Sequence, residues 1–125
     1  MIHLDTSFLI RALVPGSRED GRLRSWLADA QPLGISAIAW TEFLCGPLDS
    51  HAVELALRVV GEQVPFTSED AGVAARLFNV SGKRRGTLID CMVAASCIRG
   101  SAELATANPA DFKRFEQAGL RVVTS

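Results

Sequence analysis

The chain reads as an α/β protein: a three-layer α/β/α sandwich with helices on both faces of a mostly parallel central sheet. Three observations carry that reading. Short strand-like apolar runs alternate with segments whose apolar residues recur at helical spacing. Nearly every such run is followed by a helical segment, the order that builds parallel sheets. The 125 residues, 48% hydrophobic and 22% charged, suffice for one core of ordinary size, with no internal repeat, low-complexity tract or linker. A single domain spanning residues 1–125 is expected.

Taken in order, 2–5 ("IHLD") is a short strand and 6–13 ("TSFLIRAL") a helix capped by Thr6 or Ser7 and ended by Pro15-Gly16. Residues 18–30 form a helix with Leu23, Trp26, Leu27 and Ala30 as its stripe. A strand at 32–36 leads into a helix at 37–46, capped by Ser36 and stopped by Gly46-Pro47. Residues 49–62 are helical with Val53, Leu57 and Val60 inward, and 62–66 is a strand with Pro65 near its end. Residues 67–82 form a helix capped by Ser68, with acids at 69 and 70 suiting its positive end. After a loop at 83–86, residues 87–98 make a helix apolar nearly all round, hence central. A strand at 102–106, a helix at 109–118 and a strand at 120–124 complete the chain.

Composition excludes several classes. No apolar stretch approaches the roughly 18–20 residues of a membrane span, and the N-terminus lacks the basic and apolar regions of a signal peptide, so a cytoplasmic protein is expected. With 13 Lys and Arg against 14 Asp and Glu, the net charge of −1 gives no global basic field for nucleic acid. Cys45, Cys91 and Cys97 contain no CxxC pair and read as buried free thiols. His3 and His51 supply no zinc spacing. His3 lies in a buried strand, which leaves no histidine general base, and Ser36 anchors no nucleophilic triad.

The acids carry more information. In open parallel sheets, sites form beyond the carboxyl ends of the strands, where Asp5 falls, along with Thr106, Asn108 and Asp111 of "TANPADF". Glu42 and Asp90 lie in apolar helices with no Lys or Arg at i±3 or i±4, so no local ion pair accounts for them. Each acid has a plainer reading alone: Asp5 as a helix cap, Asp90 as partner of a distant arginine, Glu42 at the surface. Together they come from four segments, each at or near a helix that follows a strand. Clustered carboxylates raise one another's pKa and resist joint ionisation, a penalty that a divalent cation removes. Hard oxygen donors without thiolate or imidazole select Mg2+ or Mn2+, and such a set suits ions poised on a phosphodiester.

At these motifs the sequence resembles the PIN-domain family, and specifically its VapC-type toxin ribonucleases. The segments "LDTSFLI", "SAIAWTEFLCG", "GTLIDCMVAASC" and "ELATANPADFKRF…GLRVV" carry the resemblance, which covers essentially the whole chain. It implies Asp5, Glu42, Asp90 and Asp111 as catalytic metal ligands holding Mg2+ or Mn2+, with Thr6, Thr106 and Asn108 beside them. Position 108 is Asn rather than Asp, leaving the fourth acid to Asp111 or to no direct ligand, and "ATAN" lacks the arginine of "ATRN". The resemblance further implies RNA as substrate, homodimerisation, and inhibition by a cognate VapB-like antitoxin.

Lys83, Arg84 and Arg85 either hold RNA phosphates or form a solvated loop. Arg11 lies near enough to the sheet edge to touch substrate or an acid. Trp26, Trp40 and Phe43 fall at helical spacing and read as core or partner surface, and no aromatic base-stacking platform exists. The alternative function is a catalytically weak or inactive binding module for RNA or protein on the same scaffold. Receiver-type phosphotransfer fails for want of an acidic pair and a late lysine, and a DxD phosphatase fails because position 7 is Ser7.

Overall fold

The computed structural model describes residues 1–47, 49–82 and 86–123. Five strands, β1 (Ile2–Leu4), β2 (Leu33–Ser36), β3 (Glu62–Val64), β4 (Glu103–Ala105) and β5 (Arg121–Val122), form one sheet in the order β3-β2-β1-β4-β5. Every pairing is parallel. Between them run α1 (Thr6–Ala12), α2 (Arg18–Ala28), α3 (Ala37–Leu44), α4 (Ser50–Val59), α5 (Ser68–Val80), α6 (Leu88–Arg99) and α7 (Pro109–Phe112), the last continued by a 3-10 turn over Lys113–Ala118. Successive strand residues face opposite sides of a sheet, and every residue of β1 and β2 is buried. Helices therefore cover both faces, as the α/β/α reading requires.

The order of strands fixes where a site can form. From β1 the chain moves outward to β2 and β3, then crosses back to place β4 on the other side of β1. The crevice between the ends of β1 and β4 is the switch point of the sheet, where parallel α/β folds bind ligands.

The core is apolar and tightly drawn. Leu4, Ile35 and Leu104 of the sheet are fully buried with Phe8, Leu9 and Phe43 of the helices around it. Helix α6 buries Cys91, Val93, Ala94, Ala95, Ser96 and Cys97, which fits its nearly uniform apolar sequence. Trp26 stacks on Phe8 at 5.5 Å and Trp40 on Phe43 at 5.4 Å, so the aromatics at helical spacing are packing groups. His3 is buried with Nδ1 3.5 Å from the Cys97 sulfur; burial lowers its pKa, and the N-terminal charge adds to this. The Cys97 thiol is pushed up to about 12, chiefly by burial.

Several local expectations are corrected. The cap of α1 is Asp5, one of the two readings of that acid from sequence, and neither Thr6 nor Ser7. Thr67 rather than Ser68 caps α5, in a reciprocal box with Asp70. On α4 Ala56 is buried and Leu57 is 48% exposed, while Val60 at its C-cap is buried as expected and Val53 is half-buried. Leu27 and Ala30 also face outward, Ala30 lying past the end of α2 with a φ of 55°. Cys45 is exposed. The segment 109–118 tightens from α to 3-10 geometry after Phe112. Among the described residues no helix is long and apolar enough to cross a membrane.

Candidate functional site

Asp5 leaves the end of β1 directly into the crevice. Its amide donates to the Ala105 carbonyl at 3.0 Å, extending the β1–β4 ladder by one step. Its Oδ1 accepts from the Phe8 amide at 2.9 Å, capping α1, and from the Ser7 hydroxyl at 2.8 Å. Ser7 Oγ in turn accepts from the Ala107 amide at 3.1 Å and lies 3.4 Å from Thr106 Oγ1. The Asn108 amide donates to that Thr106 oxygen at 3.0 Å. One serine thus ties the β1–α1 junction to the turn after β4.

The other acids arrive on helices. Ser36 caps α3 by accepting from the Ala39 amide at 3.1 Å, which places Glu42 in the second turn. Thr6 Oγ1 stands 2.9 Å from the Ala39 carbonyl and 3.2 Å from Glu42 Oε1, so its one proton serves either acceptor. Asp90 sits in the first turn of α6, where the helix dipole favours negative charge, and Asp111 in the first turn of α7. Asp5, Glu42, Asp90 and Asp111 line one cavity of about 310 Å³, together with Thr6, Ser7 and Asn108 and an apolar wall of Ile10, Val93 and Phe112.

The electrostatics are those of crowded negative charge. Burial raises the pKa of Asp5; its bonds from Thr106, Phe8 and Ser7 oppose this, and the Asp111 charge adds to it. Glu42 is raised by desolvation and by Asp5, against the Thr6 hydroxyl. Asp90 is raised first by desolvation, is pulled down by Arg114, and is pushed up again by Asp111, Glu42 and Asp5. Arg114 Nη2 stands 3.8 Å from Asp90 Oδ2. The distant arginine considered for Asp90 is therefore present, yet it leaves the carboxyl above its ordinary range.

This donor set fits a hard dication. It is all oxygen, negatively charged and short of neutralising partners. Among the described residues no three acidic, histidine or cysteine side chains form a ready metal cage. Instead the four acids share a cavity with room for water. Such a cavity is compatible with a dication that keeps several waters and takes few carboxylates directly.

Of the residues singled out from sequence, Asp5, Thr6, Glu42, Asp90, Asn108 and Asp111 meet around the cavity, and Thr106 is buried behind it. Arg11 is exposed and is not among the cavity-lining residues. Lys83, Arg84 and Arg85 lie outside the described residues. Sequence reasoning missed Ser7 and Arg114. A hydroxyl two residues after an acid at a strand end was a usable signal for Ser7. A larger hollow of about 550 Å³, lined by Arg114 among others, holds no carboxylate and lacks the chemistry of the smaller one.

A parallel sheet with acids gathered at its switch point places the chain in a known class. The PIN domain family model matches residues 2–118, and the chain belongs to that family. Solved structures with the same fold include the FitAcB complex of Neisseria gonorrhoeae, at 23% identity and a TM-score of 0.70 over 99% of this chain and 97% of that one. VapBC2 of Rickettsia felis, bound to a DNA fragment from its promoter, aligns at 19% identity and a TM-score of 0.74 over 98% of both chains. A toxin-antitoxin complex from Klebsiella pneumoniae aligns at 26% identity and a TM-score of 0.68 over 99% and 97%. No match was found among curated protein sequences.

Proposed function

We propose that this chain is the toxin of a toxin–antitoxin pair, a cytoplasmic endoribonuclease that hydrolyses RNA phosphodiester bonds with Mg2+ or Mn2+. The observation that carries the proposal is the meeting of Asp5, Glu42, Asp90 and Asp111, from four separate segments, in one cavity at the switch point of the sheet. The toxin–antitoxin complexes among its structural neighbours support an antitoxin partner. A further neighbour, a sarcin-ricin loop cleaving VapC toxin of Mycobacterium tuberculosis at 21% identity and a TM-score of 0.64 over the full length of both chains, supports RNA as substrate. Homodimerisation belongs to the same proposal.

Asp5, Glu42, Asp90 and Asp111 would hold the metal. A hard dication there supplies the activated water and the charge neutralisation that in-line phosphodiester hydrolysis needs. The chain's own part is preorganisation. Ser7, Thr106 and the Phe8 amide fix the Asp5 carboxylate before substrate arrives, and Thr6 steers Glu42. Asn108 contributes a neutral amide to the rim, able to donate to a phosphate oxygen that another carboxylate would repel. Ile10, Val93 and Phe112 limit bulk water along one wall.

The test is cleavage of RNA by the purified protein, freed of any partner. Cleavage with Mg2+ or Mn2+, its loss in EDTA, and its loss in Asp90→Asn are the expected results. Cleavage that persists in EDTA refutes the metal role. RNA binding without cleavage by the wild type identifies the inert binding module instead. Expression of Asp5→Asn should relieve any growth arrest that the wild type causes.

A further inference from the structure

Among the described residues, Arg114 is the one cation that forms an ion pair with an acid of the cleft. It comes from the 3-10 turn after α7, three residues beyond Asp111. Its guanidinium carbon lies 4.5 Å from the centre of the buried Phe115 ring, a cation–π contact that holds the head group near the cleft. Its Nη2 reaches 3.8 Å from Asp90 Oδ2, close enough for charge attraction and too far for a hydrogen bond. Nε and Nη2 are both buried with no hydrogen-bond partner among the described residues. Native proteins rarely leave buried donors in that condition, because each forfeits its hydration with nothing in return. The carboxylate that Arg114 stops short of is an available acceptor, and it belongs to the cleft that fits a dication.

We infer that Arg114 is the built-in counter-ion of the cleft. In the metal-free protein it holds Asp90 against the repulsion of Asp5, Glu42 and Asp111, and binding of a divalent cation displaces it from that carboxylate. Arg114 is thus a positioning residue that sets metal affinity. This inference rests on the metal reading of the cleft. The physical reason is competition: a guanidinium and a dication beside one carboxylate repel each other, so each weakens the other's hold by the same factor.

Two measurements on the purified full chain test it. In calorimetric titrations with Mn2+, Arg114→Gln should bind the ion about 5-fold or more tightly than wild type, and Arg114→Lys should restore wild-type affinity. In EDTA, Arg114→Gln should lower the unfolding midpoint in the wild-type background and much less in an Asp90→Asn background. Unchanged or weaker Mn2+ binding by Arg114→Gln overturns the inference. So does an equal loss of stability in both backgrounds, which marks Arg114 as mere packing on Phe115. A wild type that binds Mn2+ while Arg114→Gln binds it equally removes the role of Arg114 and leaves the metal reading standing. A wild type that takes up no Mn2+, with the coupling in EDTA intact, removes the metal reading and with it the displacement.

Discussion

Asp5 caps α1 with a carboxylate that also lines the cleft. The two roles separate by substitution. Asn keeps an oxygen for the Phe8 amide and the Ser7 hydroxyl but removes the charge, so Asp5→Asn should fold with nearly wild-type stability and lose cleavage. Asp5→Ala loses the cap as well and should cost about a further 1 kcal/mol, read by urea unfolding. Ser7 sets the position of that carboxylate. Ser7→Ala removes the donor to Asp5 and the acceptor of the Ala107 amide. We expect a loss of about 1–2 kcal/mol and slower cleavage in a protein that still folds. Full activity in Ser7→Ala would show that Asp5 needs no such support. The cap and the ligand were competing readings of Asp5 from sequence; the structure shows the cap, and the proposed ligand role is compatible with it, because the cap uses Oδ1 and the cleft sees the charge of the whole carboxylate.

The elements show which features a linear pattern can reveal. Strand–helix alternation and the central place of α6 were legible because burial on one face or all round imposes a period on the sequence. The orientation of α4 was legible in part: Val60 is buried as its stripe requires, but small Ala56 packs inward where Leu57 was expected and Leu57 turns out. The acids of the site were legible because two of them interrupt apolar helices without a local partner. Arg114 was not, since its contact with Asp90 joins the 3-10 turn to α6 and no spacing encodes it. The same limit hid the pairing of Arg99 at the end of α6 with the fully buried Asp70 of α5. Asp70 also accepts from the Thr67 amide in the capping box, so one carboxylate both starts α5 and clamps it to α6. Thr67→Ala should therefore cost about 1 kcal/mol. Asp70→Ala should cost clearly more, since it also strips Arg99 of its partner. Equal midpoints for the two variants in urea would show that the α5–α6 clamp contributes nothing beyond the cap.

At the scale of the whole molecule, gathering acids at the switch point makes stability depend on pH and, on the proposed function, on metal as well. Asp5, Glu42 and Asp90 hold their protons more tightly in the folded chain than their unfolded counterparts do. Where the folded state binds more protons, stability falls as pH rises. That fall begins near the unfolded carboxylate values of about 4 and ends once pH has passed the raised native ones. Above that window the metal-free protein carries the full repulsion of its cleft, and a bound dication relieves it. Protons and metal therefore compete for the same oxygens, so metal affinity should weaken as pH falls through the window. The thermal midpoint in Mn2+ should exceed that in EDTA at neutral pH, by a stabilisation of about 2.7 kcal/mol when the free ion stands at a hundred times its Kd. The difference should shrink steadily on acidification toward pH of about 4. Glu42→Gln removes one contributor while keeping an acceptor for Thr6, so in EDTA at neutral pH it should melt above wild type and gain less from Mn2+. Melting curves in Mn2+ and EDTA that coincide at neutral pH, or a difference that does not change with pH, would mean that the four carboxylates do not act as one site.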